Sequence, residues 1–117
     1  MAKTILVVDD SRVARTLTKR VLSEVDQRFE YKEAQTGDEA ILVAASNPVD
    51  VVFMDMNMPG IDGLTAAGKI LEAQPSQKIA LVTANIQDSV RERAQAMGVR
   101  FIGKPLQKAD VEAFLKS

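Results

Sequence analysis

The sequence predicts an α/β fold in which a five-stranded parallel sheet is doubly wound, with helices on both faces. Three short aliphatic runs support this prediction: Ile5–Val8, Val51–Met54 and Ile79–Val82. Each run is apolar at successive positions and too short for a helix, a pattern typical of strands buried on both faces. Helical patterns separate the runs, and alternating strands and helices build a parallel sheet through right-handed crossovers.

Two further strands are predicted at Tyr31–Ala34 and Arg100–Ile102, which are short and partly polar. Segments of this kind suit the edges of a sheet. With three central strands and two edge strands, we predict the order 2-1-3-4-5, because that order places the second and fifth strands outside.

Five helices are expected between and after the strands, each with one apolar stripe that faces the sheet. The stripes are Val13, Leu17, Val21 and Val25; Ala40, Ile41, Ala44 and Ala45; Leu64, Ala67 and Leu71; Ile86, Val90, Ala94 and Met97; and Val111, Phe114 and Leu115. Glycines and prolines fall between the elements, with no repeat and no linker. We therefore predict one domain over residues 1–117.

Composition restricts the function. The net charge is −1, so no basic field is present and we expect no direct nucleic-acid binding. No apolar run reaches about 18 residues and no leader-like segment precedes the first strand, so we expect no membrane partner and a cytoplasmic location. Cysteine and histidine are absent, which excludes thiolate chemistry and leaves any imidazole to a partner.

Polar residues occur at the carboxyl ends of the predicted strands, where ligands of such folds bind. Asp9 and Asp10 follow the first strand, Asp55 follows the third, Thr83 ends the fourth and Lys104 lies past the fifth. Because neighbouring strands lie about 4.8 Å apart, we expect these residues to share one cleft. Each has a plainer explanation by itself, such as helix capping by Asp10, so the prediction depends on the whole set.

The charges of this cleft indicate its chemistry. Two carboxylates about 5 Å apart repel each other by roughly 3 kcal/mol at an effective dielectric constant of about 20, so either a pKa rises or a divalent cation binds. Oxygen ligands without His or Cys favour Mg²⁺, with Mn²⁺ as a substitute. An aspartate beside a cation and an ammonium group can attack phosphorus. Further donors to a phosphoryl group would be the Thr83 hydroxyl and the backbone N–H groups of Met56 and Ala84.

The motifs closely resemble those of the receiver domains of bacterial two-component response regulators, and the resemblance extends over the whole chain. The matching segments are Val7–Ser11, Thr36–Ala40, Met54–Gly63, Thr83–Ala84 and Phe101–Pro105. The resemblance implies a flavodoxin-like (βα)5 fold and a single-domain, chemotaxis-like phosphoprotein of a phosphorelay.

The resemblance also implies a metal site. Asp55 would be the phospho-acceptor, and Asp10 and Asp55 would ligate Mg²⁺ directly together with the backbone carbonyl of Asn57. Asp9 would act through a metal-bound water.

Further roles follow from the same resemblance. Lys104 would pair with the acyl phosphate, and Thr83 would bind a phosphoryl oxygen once its loop moves. Phe101 occupies the position of an aromatic switch but has no hydroxyl with which to bind a partner. Pro105 is a candidate for a cis peptide bond with Lys104.

The implied function is a regulatory switch that is not an enzyme in its own right but assists its own phosphorylation and dephosphorylation. A histidine kinase or histidine phosphotransfer protein would donate the phosphoryl group, because the chain has no histidine. An output protein would bind the surface of the fourth helix, fifth strand and fifth helix, with the chain a monomer or weak dimer.

Four alternatives remain open at this point. The chain could be a receiver excised from a longer regulator, or a degenerate receiver that serves as a constitutive binding scaffold. A flavodoxin-like electron carrier would need a phosphate loop where Asp9 and Asp10 stand. A haloacid-dehalogenase-type phosphatase would need Asp-x-Asp rather than an adjacent pair.

Overall fold

The computed structural model describes residues 3–84 and 87–117 of the chain. Its strands are β1 (Thr4–Val8), β2 (Glu30–Ala34), β3 (Val51–Asp55), β4 (Lys78–Thr83) and β5 (Arg100–Gly103). They form one parallel sheet in the order β2-β1-β3-β4-β5, which confirms the predicted order and both edge strands. The predicted runs all lie inside the observed strands.

Each strand is followed by a helix. The helices are α1 (Arg12–Val25), α2 (Gly37–Ser46), α3 (Gly63–Ala73), α4 (Asp88–Ala96) and α5 (Lys108–Lys116). Three of them begin at a residue whose side chain accepts a hydrogen bond from the first turn: Ser11, Thr36 and Asp62. The caps at Ser11 and Asp62 matter for function, because they fix the loops that follow β1 and β3.

Two apolar clusters lie on opposite faces of the sheet. Side chains alternate between them along each central strand: Phe53 and Val82 face α1 and α5, whereas Met54 and Leu81 face α2, α3 and α4. Phe53 meets Phe114 of α5 edge to face, with ring centroids 5.4 Å apart. Burial on both faces explains why β1, β3 and β4 are aliphatic at nearly every position.

The predicted stripe of α1 is partly wrong. Val13 and Leu17 are 70% and 50% exposed, while the buried residues of α1 are Arg15 and Leu22. The reason is geometric: a helix turns about 100° per residue, so a stripe spaced every four residues drifts by about 40° at each step. Val21 and Val25 still pack against the core, but the N-terminal half of the stripe faces solvent.

The other stripes are confirmed with two qualifications. Ala45 of α2 is exposed although Ala40 and Ala44 are buried. Ile86, assigned to the α4 stripe, lies outside the described residues, whereas Ala94 is buried. Across the two described ranges, none of the helices combines the length and apolarity needed to cross a bilayer.

Candidate functional site

The carboxyl ends of β1 and β3 bring three carboxylates together. Asp55 is the last residue of β3, and Asp9 and Asp10 come directly after β1. One carboxylate oxygen from each lies within 4.8 Å of the others. Asp9 and Asp55 are buried, and Asp10 is exposed at the mouth of the cleft. The residues that the strand order predicted to converge therefore do so.

Lys104 reaches the same cleft from the loop after β5. Its Nζ lies 3.0 Å from Asp55 Oδ1 and 3.3 Å from Asp9 Oδ2. The Lys104 backbone N–H donates to the Thr83 carbonyl at 2.8 Å, which ties this loop to the end of β4. The Lys104–Pro105 peptide bond is cis. This is the isomer that was expected at Pro105 from the sequence.

The two neighbouring aspartates are held differently. Asp9 Oδ1 accepts a hydrogen bond from the Ser11 N–H at 2.9 Å, and its other oxygen faces Lys104. The Asp9 backbone N–H donates to the Ala34 carbonyl of β2 at 3.1 Å. Within residues 3–84 and 87–117, no group donates a hydrogen bond to the Asp10 carboxylate. Asp10 thus offers both oxygens to a ligand, while both oxygens of Asp9 are engaged.

Burial and neighbouring charges have opposing effects on the pKa of Asp55. Burial raises the pKa of Asp55, the hydrogen bond from Lys104 lowers it, and the Asp9 charge raises it again, so that the pKa lies above the ordinary 3.8. Burial alone would lower the pKa of Lys104, but its hydrogen bond to Asp55 and the charges of Asp55 and Asp9 raise it above 10.5. At neutral pH the lysine is therefore a cation, whereas burial and the Asp9 charge oppose ionisation of Asp55.

The donor set fits a hard divalent cation. Three carboxylates converge against one ammonium group, which leaves excess negative charge that a cation would neutralise. All the convergent ligand atoms are oxygens, the type that Mg²⁺ prefers, and Asp10 remains open to water as an incompletely dehydrated Mg²⁺ requires.

The loop after β3 is fixed close to Asp55 by α3. The Asp62 side chain accepts from the Thr65 N–H at 2.7 Å, and the Gly63 N–H donates to the Met56 carbonyl at 2.9 Å. A Cβ at Gly63 would collide with the Asp55 backbone carbonyl oxygen and lie 3.0 Å from the Met56 Cα. Only glycine therefore lets α3 begin this close to Asp55.

The remaining predicted residues lie at the end of β4, beside β3, or in the loop that follows Asp55. Thr83 is buried at the end of β4, and Ala84 and Asn57 are exposed. The Asn57 backbone N–H faces the Asp55 carboxylate, where it lowers the pKa. The Met56 N–H donates to the Val82 carbonyl at 3.2 Å, so its predicted role toward a phosphoryl oxygen requires that bond to be shared or released.

Phe101 lies on the edge strand β5, half-buried, and packs against the cluster formed with α2, α3 and α4. Its ring is thus neither fully enclosed nor fully exposed. The inward and outward positions expected of it remain a prediction.

Arg15 and Glu33 were not predicted from the sequence. Arg15 contacts the backbone of Asp9, and Glu33 in turn contacts Arg15. Arg15 Nη1 donates to the Asp9 carbonyl at 2.7 Å, and its Nε donates to Glu33 Oε1 at 2.9 Å. Glu33 also pairs with Lys19 at 3.0 Å. A charged residue on a helix usually faces solvent, so the only available signal was the position of Arg15, seven residues before the buried Leu22 and hence on the same helical face.

Comparison with known proteins identifies the family. Residues 5–116 match the model of the response regulator receiver domain. The chain belongs to this family. Among curated relatives of this receiver domain, the response regulator UvrY of Escherichia coli K12 is 32% identical over 114 residues, covering 97% of this chain and 52% of the relative. The response regulator GacA of Pseudomonas aeruginosa is 36% identical over 94 residues, covering 80% and 44%. The chain thus spans about half the length of these relatives.

Solved structures agree with this receiver assignment. The response regulator TrrA of Thermotoga maritima, in complex with Mg²⁺ and BeF, is 34% identical with a TM-score of 0.83, covering 97% of this chain and 96% of that one. The chemotaxis protein CheY4 of Vibrio cholerae has a TM-score of 0.86 at 23% identity, covering 99% and 98%, and supports the fold alone. Family membership makes the chain a regulatory signalling domain.

Proposed function

We propose that this receiver domain accepts a phosphoryl group on Asp55 in a Mg²⁺-dependent reaction and thereby controls a protein partner. The observation that carries the proposal is the position of Asp55, which lies 3.0 Å from Lys104 and within 4.8 Å of carboxylate oxygens from Asp9 and Asp10. A nucleophile, a cation and a set of metal ligands thus meet at one rim of the sheet. Phosphoryl transfer depends mainly on such positioning and charge neutralisation.

The transfer is a single displacement at phosphorus. A carboxylate oxygen of Asp55 forms the new P–O bond, while the P–N bond of a partner's phosphohistidine breaks and its electron pair returns to the imidazole. Lys104 balances charge on the phosphoryl oxygens, and the Thr83 hydroxyl donates to one of them. The same groups assist hydrolysis, in which water replaces Asp55 on phosphorus. Small acyl phosphates can serve as alternative donors.

The metal would be held by Asp10, Asp55 and the Asn57 carbonyl, with Asp9 acting through a bound water. The engagement of both Asp9 oxygens by Ser11 and Lys104 supports this division. When bound, Mg²⁺ would neutralise charge on the phosphoryl group, and Mn²⁺ would substitute for it.

The output depends on Thr83 and Phe101. Phosphorylation replaces the single charge of the carboxylate with about −1.5 to −2 charges, which attract Thr83 and Lys104. The half-buried Phe101 then moves inward and biases the surface formed by α4, β5 and α5. The hydrogen bond from the Lys104 N–H to the Thr83 carbonyl supports this coupling, because it joins the two loops that would move. An output protein binds that surface, and a histidine kinase or phosphotransfer protein supplies the phosphoryl group.

Intact-mass spectrometry after incubation with acetyl phosphate and Mg²⁺ tests the proposal. We expect the wild type to gain the mass of one phosphoryl group and Asp55→Asn to gain none. Asp110→Asn, which changes an exposed aspartate of α5, is the matched control and should behave as the wild type. Asp10→Asn should require more Mg²⁺ for the same extent of modification.

Two results would overturn the proposal. One is a phosphoryl adduct on Asp55→Asn as large as on the wild type, and the other is a wild type that stays unmodified with both phosphohistidine and acyl phosphate donors. The second result, together with a bound partner, would favour a constitutive scaffold.

A further inference from the structure

Arg15 is unusual among the charged residues of this chain because it is buried although it lies on a surface helix. Its side chain is 9% exposed, whereas its ion-pair partner Glu33 is 39% exposed. Charged side chains are rarely buried this far unless they are paired. Within the described ranges Arg15 is the most deeply buried cation, and it lies directly behind Asp9.

The contact of Arg15 with Asp9 is made to the backbone. Nη1 donates to the Asp9 carbonyl at 2.7 Å, and this carbonyl belongs to the rigid peptide plane that also contains the nitrogen and Cα of Asp10. The peptide unit before Asp9 is fixed as well, because the Asp9 backbone N–H donates to the Ala34 carbonyl at 3.1 Å. Arg15 thus determines how the peptide between the two aspartates is oriented.

Asp10 depends on that orientation more than its neighbour does. The Asp9 carboxylate is held by Ser11 and Lys104, whereas no donor in the described parts of the chain holds the Asp10 carboxylate. The direction of the Asp10 side chain therefore depends on the conformation of its own backbone. That conformation depends in turn on the peptide plane between Asp9 and Asp10, which Arg15 holds through the Asp9 carbonyl.

Glu33 and Lys19 keep the arginine in place. Arg15 Nε donates to Glu33 Oε1 at 2.9 Å, and Lys19 Nζ holds the other oxygen of Glu33 at 3.0 Å. Glu33 lies on β2, opposite Val7 of β1, on the face covered by α1. The edge strand β2, which gives no ligand to the cleft, thus contributes the residue that orients Arg15.

We propose that Arg15 is a positioning residue for the metal site: it grips the Asp9 carbonyl and so directs the Asp10 carboxylate toward the bound cation. The inference rests on the proposed Mg²⁺-dependent function and adds a residue to it. Residues that orient metal ligands typically change metal affinity by about 10–100-fold when they are lost.

The direction of the change in Mg²⁺ affinity distinguishes a positioning role of Arg15 from a purely electrostatic one. Arg15 is a cation, so its removal lowers the electrostatic repulsion of Mg²⁺ and by charge alone would tighten binding. A loss of affinity in Arg15→Met therefore has to arise from geometry. Arg20→Met provides the matched control, because Arg20 is an exposed cation of the same helix and, within the described residues, donates to neither Asp9 nor Glu33.

The experiment is isothermal titration of each metal-free protein with MgCl₂, below the melting temperature of each variant as measured by circular dichroism. We expect Arg15→Met to bind Mg²⁺ at least about ten-fold more weakly than the wild type, and Arg20→Met to bind it equally or more tightly. Arg15→Lys should lie between, since one ammonium group cannot reach both Asp9 and Glu33. With acetyl phosphate, saturating Mg²⁺ should restore most of the phosphorylation rate of Arg15→Met.

The outcomes distinguish the two proposals. Mg²⁺ binding by Arg15→Met at wild-type affinity would overturn the positioning role and leave the proposed function intact. Should Arg15→Met fail to fold, Arg15→Lys carries the test, and wild-type affinity in that variant overturns the inference equally. A wild type that binds no Mg²⁺ would refute the proposed function itself.

Discussion

Lys104 Nζ lies 3.0 Å from Asp55 Oδ1, so the cation that pairs with Asp55 comes from 49 residues further along the chain. The same ammonium group is 3.3 Å from Asp9 Oδ2, which makes it a bridge between the carboxylates after β1 and β3. In the proposed reaction, a cation in this position would support phosphoryl transfer and would compete with a metal ion for the same negative charge. The two effects can be separated by substitution.

Lys104→Met should bind Mg²⁺ more tightly and accept the phosphoryl group more slowly than the wild type. At about 5 Å and an effective dielectric constant between about 20 and 80, removing the repulsion between the single charge of lysine and the double charge of Mg²⁺ is worth roughly 2–7 kcal/mol. Calorimetric titration with Mg²⁺ and a mass-spectrometric time course with acetyl phosphate measure the two quantities. Lys108→Met, at an exposed position of α5, serves as the control. Weaker Mg²⁺ binding in Lys104→Met would contradict the assigned competition.

Asp55→Asn should stabilise the metal-free protein at neutral pH. The pKa of Asp55 in the folded state is raised above 3.8, mainly by burial. Stability is therefore lost as pH rises from 3.8 through the folded pKa, and the loss is constant above it. An amide carries no such cost, so the melting temperature in EDTA should exceed that of the wild type at pH 7, and the difference should shrink toward pH 3.8.

Each kcal/mol gained in this way corresponds to roughly 4 °C for a domain of this size. Glu24→Gln, which neutralises an exposed acid of α1, should lack the pH-dependent gain. Added Mg²⁺ should raise the melting temperature of the wild type more than that of Asp55→Asn. An Asp55→Asn protein that melts below the wild type at every pH would show that the Lys104 contact outweighs the cost of burial.

The sequence was most informative where chemistry and topology coincide. The apolar runs before Asp9 and Asp55 indicated buried parallel strands, and parallel strands place their carboxyl ends at one rim, so the convergence of the acids followed from the order of the strands. Lys104 could be placed in the same way. These predictions needed only short-range patterns and one rule of sheet topology.

The sequence was least informative about α1, where helix rotation and a buried charge decide the packing. A spacing of four residues placed Val13, Leu17 and Val21 in one predicted stripe. The helix rotates by about 40° over each such step, so the start of the stripe leaves the buried face, and Arg15 occupies that face instead. Hydrophobic periodicity cannot identify a buried arginine, because its place depends on Glu33 and the Asp9 carbonyl, which come from other elements. Contacts between distant elements were the part that a local pattern could not predict.

Two leucine-to-alanine substitutions on α1 measure the difference between its buried and its exposed positions. Leu22 is fully buried and Leu17 is 50% exposed, although both are leucines in the same helix. Leu22→Ala should lower the free energy of unfolding by about 2–5 kcal/mol through lost burial and a cavity. Leu17→Ala should change it by less than about 1 kcal/mol, because half of its surface already meets water. Urea denaturation followed by circular dichroism gives both values, and equal losses would restore the predicted stripe.

Gly63 and Gly68 allow a similar comparison on α3, because only the first of them approaches Asp55. A Cβ at Gly63 would collide with the Asp55 carbonyl oxygen and lie 3.0 Å from Leu81 Cδ2, whereas a Cβ at Gly68 would meet only the mobile end of Met97 at 3.2 Å. Gly63→Ala should therefore cost about 1–3 kcal/mol or more, as overpacking against backbone does. Gly68→Ala should be neutral or stabilise by up to about 1 kcal/mol, because alanine is the better helix former.

The two glycine variants should also differ at the site. The collision at Gly63 is with the carbonyl of Asp55 itself, so we expect relief of the clash to displace the end of β3 that carries Asp55 and to disturb its contact with Lys104. Phosphorylation by acetyl phosphate should therefore slow in Gly63→Ala and stay unchanged in Gly68→Ala, at temperatures where both proteins are folded. If Gly63→Ala lost stability but kept the wild-type rate, α3 would be free to move without displacing Asp55, and its close approach would matter for packing alone.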